Sequence, residues 1–334
     1  MLSIVFALHF LNQFVFLQSQ DVFARGRCDL RYMSNQIRHK RVRRKFHIKF
    51  VKTTAVSART SGTERHASLT FFLFCAVVRK IQKMATSDGY LTVYSPFCKH
   101  DNYDEVFSAT FSKLSSELNL SSIKSCLIFG PGEGKHEVPF IKQCVANISK
   151  LIAIEPDRES AERLRSRLAT NLPDVDSQVI ETNVQSWKGL DDPVDLVLMM
   201  HVLYYVRANE RKELFKKIHD RWLVSGGRVT VVSSSRTRCP GNANEIYERL
   251  GTPMTAWEDI EADVLEAGFI KQHAHEMQYV RDFSNLDESF LRFYQNHIDH
   301  PVTLEDVRKV IEEMFPDGKS DQVFYTFAVF QKPH

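Results

Sequence analysis

The chain lacks the cysteine spacing that would define a disulfide framework or a zinc site. Its six cysteines are scattered over 334 residues without a Cys-x-x-Cys pair. Cys126 and Cys144 stand in apolar stretches, which suit free buried thiols. A scatter of this kind is typical of a reducing compartment. We therefore expect a cytoplasmic protein that holds no metal.

No apolar run in the sequence is long enough to span a bilayer as a helix, which takes about 20 residues. Met1–Leu17 is broken by polar residues. It also lacks the positive start and the small-residue cleavage site of a secretory signal. Leu69–Val78 is shorter still. We expect no stable membrane association.

Acidic residues are scarce at the start of the chain. Residues 1–83 hold 16 Lys and Arg against 3 Asp and Glu, a balance of +13, whereas the remainder has a balance of −10. We do not expect two segments with such different charge balances to belong to one compact unit. Residues 1–83 also show no helix or strand period, and Met84-Ala85-Thr86-Ser87-Asp88 has the form of a natural protein start. We expect 1–83 to be a basic, disordered upstream extension and 84–334 to be the folded domain.

From about residue 120 onward, strand-like and helix-like segments alternate, which predicts a doubly wound parallel sheet. Residues 84–120 are expected to form helices that cap a pocket, and the last two strands to pair antiparallel at one edge. Gly226-Gly227 is expected to stop a helix over Glu210–Leu223, and Thr255 to cap the helix that follows. The predicted strands are Ser125–Phe129, Leu151–Ile154, Gln178–Ile180, Val194–Met200, Arg228–Ser233, Phe269–Tyr279 and Val323–Phe330.

A glycine-rich turn, Gly130-Pro131-Gly132-Glu133-Gly134, follows the first strand. Glycines let the backbone approach a ligand closely, and the next helix points its free N–H groups at an anionic group. A dinucleotide site would have Gly-x-Gly-x-x-Gly, but here Lys135 stands where the third glycine would be, and no Walker lysine-serine pair follows. Gly-x-Gly-x-Gly, with Glu155 ending the second strand, is the pattern of S-adenosylmethionine (SAM) methyltransferases. There the carboxylate accepts the ribose hydroxyls, so the pattern predicts SAM as cofactor.

Two further strand ends belong to this predicted site, because ligands of doubly wound sheets lie beyond the carboxyl ends of the strands. Glu181-Thr182-Asn183 follows the third strand and should lie near the adenine. The end of the fourth strand, at 199–205, should line the methionine side. His201 lies in that stretch, where it is either catalytic or a cofactor-binding or packing residue. We favour the second role.

Residues 84–334 resemble the histamine N-methyltransferase family. The resemblance implies an α/β fold, a doubly wound Rossmann-like class I methyltransferase sheet with an antiparallel edge strand and an N-terminal helical cap. It also implies a monomer that methylates a small amine or imidazole, histamine or a similar compound. The resemblance rests on Ser87-Asp88-Gly89-Tyr90, Ile128–Gly134, Ile154-Glu155-Pro156, Leu203-Tyr204-Tyr205-Val206 and Phe327–Phe330.

The resemblance also implies the residues of both binding sites. Tyr204 and Tyr205 would position the amine. Where the family holds the amine with a Glu and an Asn, this chain has Tyr103 and Val323, and we expect Asp104 or its neighbour Glu105 to anchor the positive charge. The implied cofactor contacts are Gly130, Gly132, Gly134, Glu155, Ser160, Asn183 and Met200, and the implied aromatic substrate contacts are Tyr90, Tyr94, Phe97, Tyr204 and Tyr205.

Other functions stay open at this point. One is methylation of another small amine metabolite, and a second is a SAM-binding but catalytically inactive regulatory module. A nucleic-acid substrate is disfavoured because the acidic domain would repel phosphate, although the basic run at 38–45 could contact nucleic acid, act as a targeting signal or be a solvated charge block.

Overall fold

The computed structural model describes residues 90–236, 243–298 and 300–334, so the predictions about 1–83 lie outside the described residues. Short 3₁₀ turns lie at Cys98–His100 and Leu203–Tyr205, and a π-helical turn lies at Ile218–Trp222. The helices are α1 (Tyr90–Phe97), α2 (Tyr103–Glu117), α3 (Glu137–Cys144), α4 (Arg158–Asn171), α5 (Ala208–Lys217), α6 (Ala243–Arg249), α7 (Trp257–Glu266), α8 (Glu288–Asn296) and α9 (Leu304–Met314). The strands are β1 (Ser125–Phe129), β2 (Lys150–Ile154), β3 (Asp176–Ile180), β4 (Val194–Met200), β5 (Leu223–Ser234), β6 (Ile270–Asp282) and β7 (Lys319–Gln331).

The strands form one seven-stranded sheet in the order β3-β2-β1-β4-β5-β7-β6. Strands β1 to β5 run parallel to one another. Strand β7 pairs antiparallel with both β5 and β6, so the antiparallel pair lies at the edge. The order reverses between β1 and β4, which is the switch point where doubly wound sheets bind ligands. The predicted fold class is confirmed.

The central strands are apolar on both faces because helices cover both sides of the sheet. In β1, Cys126 and Ile128 pack into one core with helices α2 and α3. Leu127 and Phe129 face the opposite core with α5 and α7. A third apolar cluster joins α1, α6, α8 and α9, and Tyr294 at its centre is fully buried. No helix in the described ranges is long and apolar enough to cross a membrane.

Two predicted boundaries are wrong. Gly226-Gly227 lies inside β5 rather than after a helix, because β5 already begins at Leu223. The register with β4 shifts there, and Gly226 takes a φ of +73°, which suits a β-bulge. Thr255 is not the cap of α7, since the helix begins at Trp257. Instead, the Thr255 hydroxyl accepts a hydrogen bond from Arg211 Nη1 at 3.0 Å.

Candidate functional site

The turn after β1 is bonded to the end of β2 through one carboxylate. Glu155 Oε2 accepts the N–H of Gly132 at 2.8 Å, and Oε1 accepts the N–H of Asp157 at 2.9 Å. Glu155 is buried, and that burial raises its pKa. A carboxylate has about four acceptor positions. Two therefore remain for hydroxyl groups of a ligand at the switch point.

The glycines of this turn have different roles. All three have positive φ angles, but a Cβ at Gly134 would lie 2.4 Å from Leu164 Cδ1, whereas one at Gly132 would meet nothing within 4 Å. Gly134 therefore allows α4 to pack closely against the turn. Gly130 and Gly132 line the cavity in front of the turn. A Cβ at Gly130 would lie 2.4 Å from Val202 Cγ2, so Gly130 also allows close packing, whereas the bare backbone at Gly132 leaves room for a ligand.

The remaining predicted cofactor residues have different placements. Met200, at the end of β4, lines the cavity. Asn183 is exposed, and its Oδ1 accepts the N–H of Ser186 at 2.7 Å, which fixes the turn after β3. Ser160 is fully buried in α4 and does not line the cavity. The contact of Ser160 with the cofactor stays a prediction, and the packing of α4 covers its hydroxyl in this structure.

A cavity that is partly open to solvent separates the glycine turn from the helices above it. Its walls carry eight Phe and Tyr rings, which come from α1, α2, α6, α8, β7 and the turn after β4. Aromatic walls of this kind stack against flat ligands and attract cations. The aromatic residues are Tyr94, Phe97, Tyr103, Tyr204, Tyr247, Phe293, Tyr294 and Tyr325.

The charged groups of the cavity wall are balanced. Arg281 Nη2 and Asp101 Oδ2 lie 2.7 Å apart, and both side chains are about 95% buried. The Arg281 guanidinium also stacks on Phe97, 4.2 Å from its ring centroid. Glu133 lies 3.7 and 3.6 Å from two arginines of α4, Arg163 and Arg167. Each of these carboxylates therefore faces a guanidinium.

Two further titratable side chains of the wall are neutral near pH 7. Burial raises the pKa of Glu137 to about 8. Burial lowers the pKa of His136 to about 4. A carboxyl and an imidazole in these states carry no charge at neutral pH, so the wall beside the turn is polar without being anionic.

One polar contact links the two sides of the cavity. The Tyr103 hydroxyl on α2 is hydrogen-bonded to His201 Nε2 after β4. Burial lowers the pKa of His201 well below its usual range. The ring of Tyr325 packs against His201 with centroids 4.5 Å apart. The sequence pattern suggested His201 but gave no partner for it.

The predicted substrate residues divide into three groups. Tyr94, Phe97, Tyr103 and Tyr204 line the cavity. Tyr205 is 45% exposed and its hydroxyl bonds His297 Nε2 at 2.6 Å, so it supports Tyr204 from outside. The side chains of Tyr90 and Val323 lie outside the described residues; Tyr90 begins α1, and the backbone of Val323 pairs with Tyr279.

The placement of Asp104 corrects the expected anchor for a positive charge. Its carboxylate is half exposed, pairs with Lys135 Nζ and does not line the cavity. Glu105 is exposed as well. The carboxylate that reaches the cavity from this segment is Asp101, which Arg281 already neutralises.

Several cavity residues had no usable signal in the sequence. Arg281 and Tyr325 come from the antiparallel strands β6 and β7, far along the chain from the glycine turn. A single arginine in a strand has no motif around it. His136 and Glu137 begin α3 directly after the turn, and their position beside a glycine-rich turn was the one available hint.

Comparison with known proteins agrees with this geometry. A family model described as a methyltransferase domain matches residues 127–227. No curated protein sequence matches the chain. The N-methyltransferase NodS from Bradyrhizobium japonicum, solved with S-adenosyl-L-homocysteine, is 14% identical over 68% of this chain and 88% of its own, with a TM-score of 0.43. Geranyl diphosphate C-methyltransferase from Streptomyces coelicolor is 14% identical over 67% of this chain and 78% of its own, with a TM-score of 0.43.

The fold and the glycine turn define a class I methyltransferase domain, and the matching family model covers the strands that carry the site, β1 to the start of β5. Its cofactor is S-adenosylmethionine. The residues present fit that cofactor, because Glu155 retains acceptor positions and the backbone at Gly130 and Gly132 is open to the cavity. Residues 127–227 thus match a methyltransferase domain, and this match supports SAM-dependent methyl transfer as the activity of the chain.

Proposed function

We propose that this methyltransferase acts on the nitrogen of a small amine or imidazole compound, of the size and type of histamine. The observation that carries the proposal is the aromatic cavity that faces the glycine turn. Aromatic rings hold flat heteroaromatic or amine groups by stacking and by attraction to partial positive charge. We further propose that the enzyme works as a cytoplasmic monomer without a nucleic-acid partner.

One group of residues holds the cofactor, and another confines the acceptor. Glu155 and the glycine turn hold the cofactor, which supplies a methyl group bound to a positively charged sulfur. Tyr204, Phe97 and Met200 confine the acceptor from the opposite side and exclude water. Alignment of two reactants in this way supplies about 7–11 kcal/mol of the barrier reduction. A positioning mechanism of this kind needs no covalent intermediate.

A two-step assay tests the proposal. Thermal unfolding is first followed with and without SAM, and methyl transfer is then measured on a panel of small amines and imidazoles that includes histamine. The proposal expects a rise in Tm with SAM and turnover of at least one panel member. A rise in Tm without turnover of any compound would instead support a catalytically inactive SAM-binding module. Transfer only to oxygen or carbon acceptors would contradict the proposal.

A further inference from the structure

The Tyr103–His201 pair is a direct polar contact between the helical cap and the carboxyl end of β4 that faces the cavity. Both side chains line the cavity, together with Gly130 and Met200. The two residues are 98 positions apart in the sequence. The fold therefore brings a phenol and an imidazole together at the point where the acceptor must lie.

His201 is held there in a strained backbone conformation. Its φ is +57°, a value that non-glycine residues seldom take. The N–H of His201 donates to Val232 O at 3.1 Å, which ties the residue to β5. Strain of this kind persists where surrounding structure enforces it and is concentrated at functional sites. Here it turns the imidazole away from the strand and towards Tyr103.

The charges around the cavity disfavour a cationic acceptor. Asp101 and Glu133 face arginines, and burial keeps Glu137 protonated at neutral pH. Within the described ranges, no carboxylate of the cavity wall is left to neutralise an ammonium group. An ammonium would also lie beside the positive sulfur of SAM, and like charges repel strongly where water is excluded.

We propose that the Tyr103–His201 pair takes up the N–H proton that the methylated product releases, from the amine nitrogen or from the second ring nitrogen of an imidazole, and that the acceptor is a neutral, weakly basic nitrogen compound such as an imidazole or an aromatic amine. The inference rests on the proposed function and narrows its substrate class to compounds that, unlike histamine, carry no ammonium group. Tyr103 contacts the acceptor, and His201 acts through Tyr103.

The proton balance of the step is complete without another reactant. The acceptor nitrogen forms a bond to the methyl carbon, and the carbon–sulfur bond breaks with its electrons left on sulfur. The N–H proton of the product passes to Tyr103 Oη while the hydroxyl proton of Tyr103 passes to His201 Nε2. The positive charge thus moves from sulfur to imidazole, and later proton loss to solvent resets the pair.

The groups that face His201 keep its imidazole neutral before the reaction and make it release a proton readily afterwards. Burial lowers its pKa, and the charge of Arg281 acts in the same direction. The rings of Tyr103, Phe107 and Tyr325 enclose it, from α2 and β7. A neutral imidazole has one bare nitrogen, and the contact with a phenol hydroxyl sets which one it is.

NMR spectroscopy of the full chain tests the pair without any turnover. The protein is labelled with ¹⁵N-histidine, and the His201 signals are assigned by their loss in His201→Gln. We expect a neutral ring with the proton on Nδ1 and a bare Nε2 from pH 6 to 8. A proton on Nε2 would overturn the proposal, because the ring would then donate to Tyr103 and could not accept its proton.

Kinetic measurements test the same pair with a compound that the enzyme methylates. We expect Tyr103→Phe and His201→Gln each to lower kcat about 100-fold at neutral pH, with no further loss in the double variant. The loss should shrink towards pH 9, where solvent can take the proton. Tyr279→Phe is the matched control, since Tyr279 packs beside Tyr103 without lining the cavity. An equal loss at every pH would show a purely structural role.

A matched pair of acceptors tests the substrate class. 4-Methylimidazole and histamine share the ring, but histamine also carries an ammonium group. The inference expects kcat/KM to be about tenfold higher for 4-methylimidazole, and a preference for histamine would overturn it. Absence of turnover on any amine would remove the proposed function and this inference together. Turnover with a protonated Nε2 would remove this inference alone.

Discussion

The N–H of Gly132 and the Oε2 atom of Glu155 lie 2.8 Å apart, so the turn after β1 and the end of β2 form one hydrogen-bonded unit. This bond holds the carboxylate at the switch point before any cofactor arrives. The second oxygen is held by the N–H of Asp157 at 2.9 Å. The carboxylate of Glu155 is therefore preorganised by backbone donors, which reduces the ordering that ligand binding would otherwise require.

Replacing Glu155 by alanine should weaken SAM binding at least tenfold. Hydrogen bonds to a charged group contribute about 1.5–3 kcal/mol, and 1.4 kcal/mol corresponds to a factor of ten. Isothermal titration calorimetry with SAM measures the change. Glu159→Ala is the control, because Glu159 is exposed on the first turn of α4 and pairs only with Arg163. Equal affinities for the two variants would contradict the assignment of Glu155.

Alanine substitutions at two glycines of the turn should differ in their cost to the free energy of unfolding. Gly134→Ala places a Cβ 2.4 Å from Leu164 Cδ1, and overpacking of this kind costs about 1–3 kcal/mol. Gly132→Ala meets no neighbour within 4 Å, so its cost should be smaller and arise mainly from its φ of +57°. Denaturant unfolding measures both. A larger loss of stability at Gly132 would show that the packing argument is wrong.

Tyr204→Ala should impair methylation far more than SAM binding, because Tyr204 lines the cavity on the acceptor side. Tyr205→Ala is the matched variant, since Tyr205 is 45% exposed and contacts Tyr204 with ring centroids 4.6 Å apart. We expect a clearly smaller loss of kcat/KM for Tyr205→Ala. Calorimetry and methyl-transfer rates distinguish the two effects, and equal loss of both in Tyr204→Ala would count against the substrate assignment.

The sequence predicts the parallel part of the sheet well because local pattern and burial agree there. Val194–Met200 is apolar except for Asp195, and it is the central strand β4 with those same bounds. The glycine turn and Glu155 could also be predicted from the sequence, because they lie at the carboxyl ends of the first two strands. The prediction that Gly226-Gly227 stops a helix was wrong because glycines also occur at β-bulges. Only the pairing of β5 with β4 shows which of the two roles applies.

The acceptor side of the site was less predictable because it depends on contacts between distant segments. Asp104 was expected to anchor a charge, but its side chain pairs with Lys135 and does not line the cavity. The neighbouring Asp101 reaches inward and meets Arg281, 180 residues away. No local pattern distinguishes these two acids. Their difference is set by the way α2 packs against β6.

The buried pair of Asp101 and Arg281 should be costly to break from one side. Both side chains are about 95% buried, and removal of one partner from such a pair costs about 3–5 kcal/mol because the other charge stays unpaired. We expect Asp101→Asn to lower the free energy of unfolding by that amount, and Asp101→Asn combined with Arg281→Met to recover part of the loss. Chemical denaturation measures the cycle.

A surface pair provides the control for that cycle. Arg158 and Glu162 lie 3.0 Å apart with 81% and 56% of their side chains exposed. Exposed pairs contribute about 0–1 kcal/mol, so Glu162→Gln should change the stability little. If Asp101→Asn changed the free energy of unfolding equally little, the pair of Asp101 and Arg281 would not stabilise the contact between the cap segment and β6.

Glu137 should make the stability of the protein depend on pH. Burial raises its pKa from 4.5 to about 8, so between these values the folded protein keeps a proton that the unfolded chain has lost. Stability must then fall as pH rises through that window, with a slope approaching about 1.4 kcal/mol per pH unit from this group. Glu137→Gln removes the titration, and the slope of its unfolding free energy between pH 5 and 8 should be correspondingly smaller. Urea unfolding at several pH values measures the difference, with the exposed Glu162→Gln as control. Parallel curves for the wild type and Glu137→Gln would show that Glu137 is ionised in the folded protein, and the cavity wall beside the turn would then carry a negative charge.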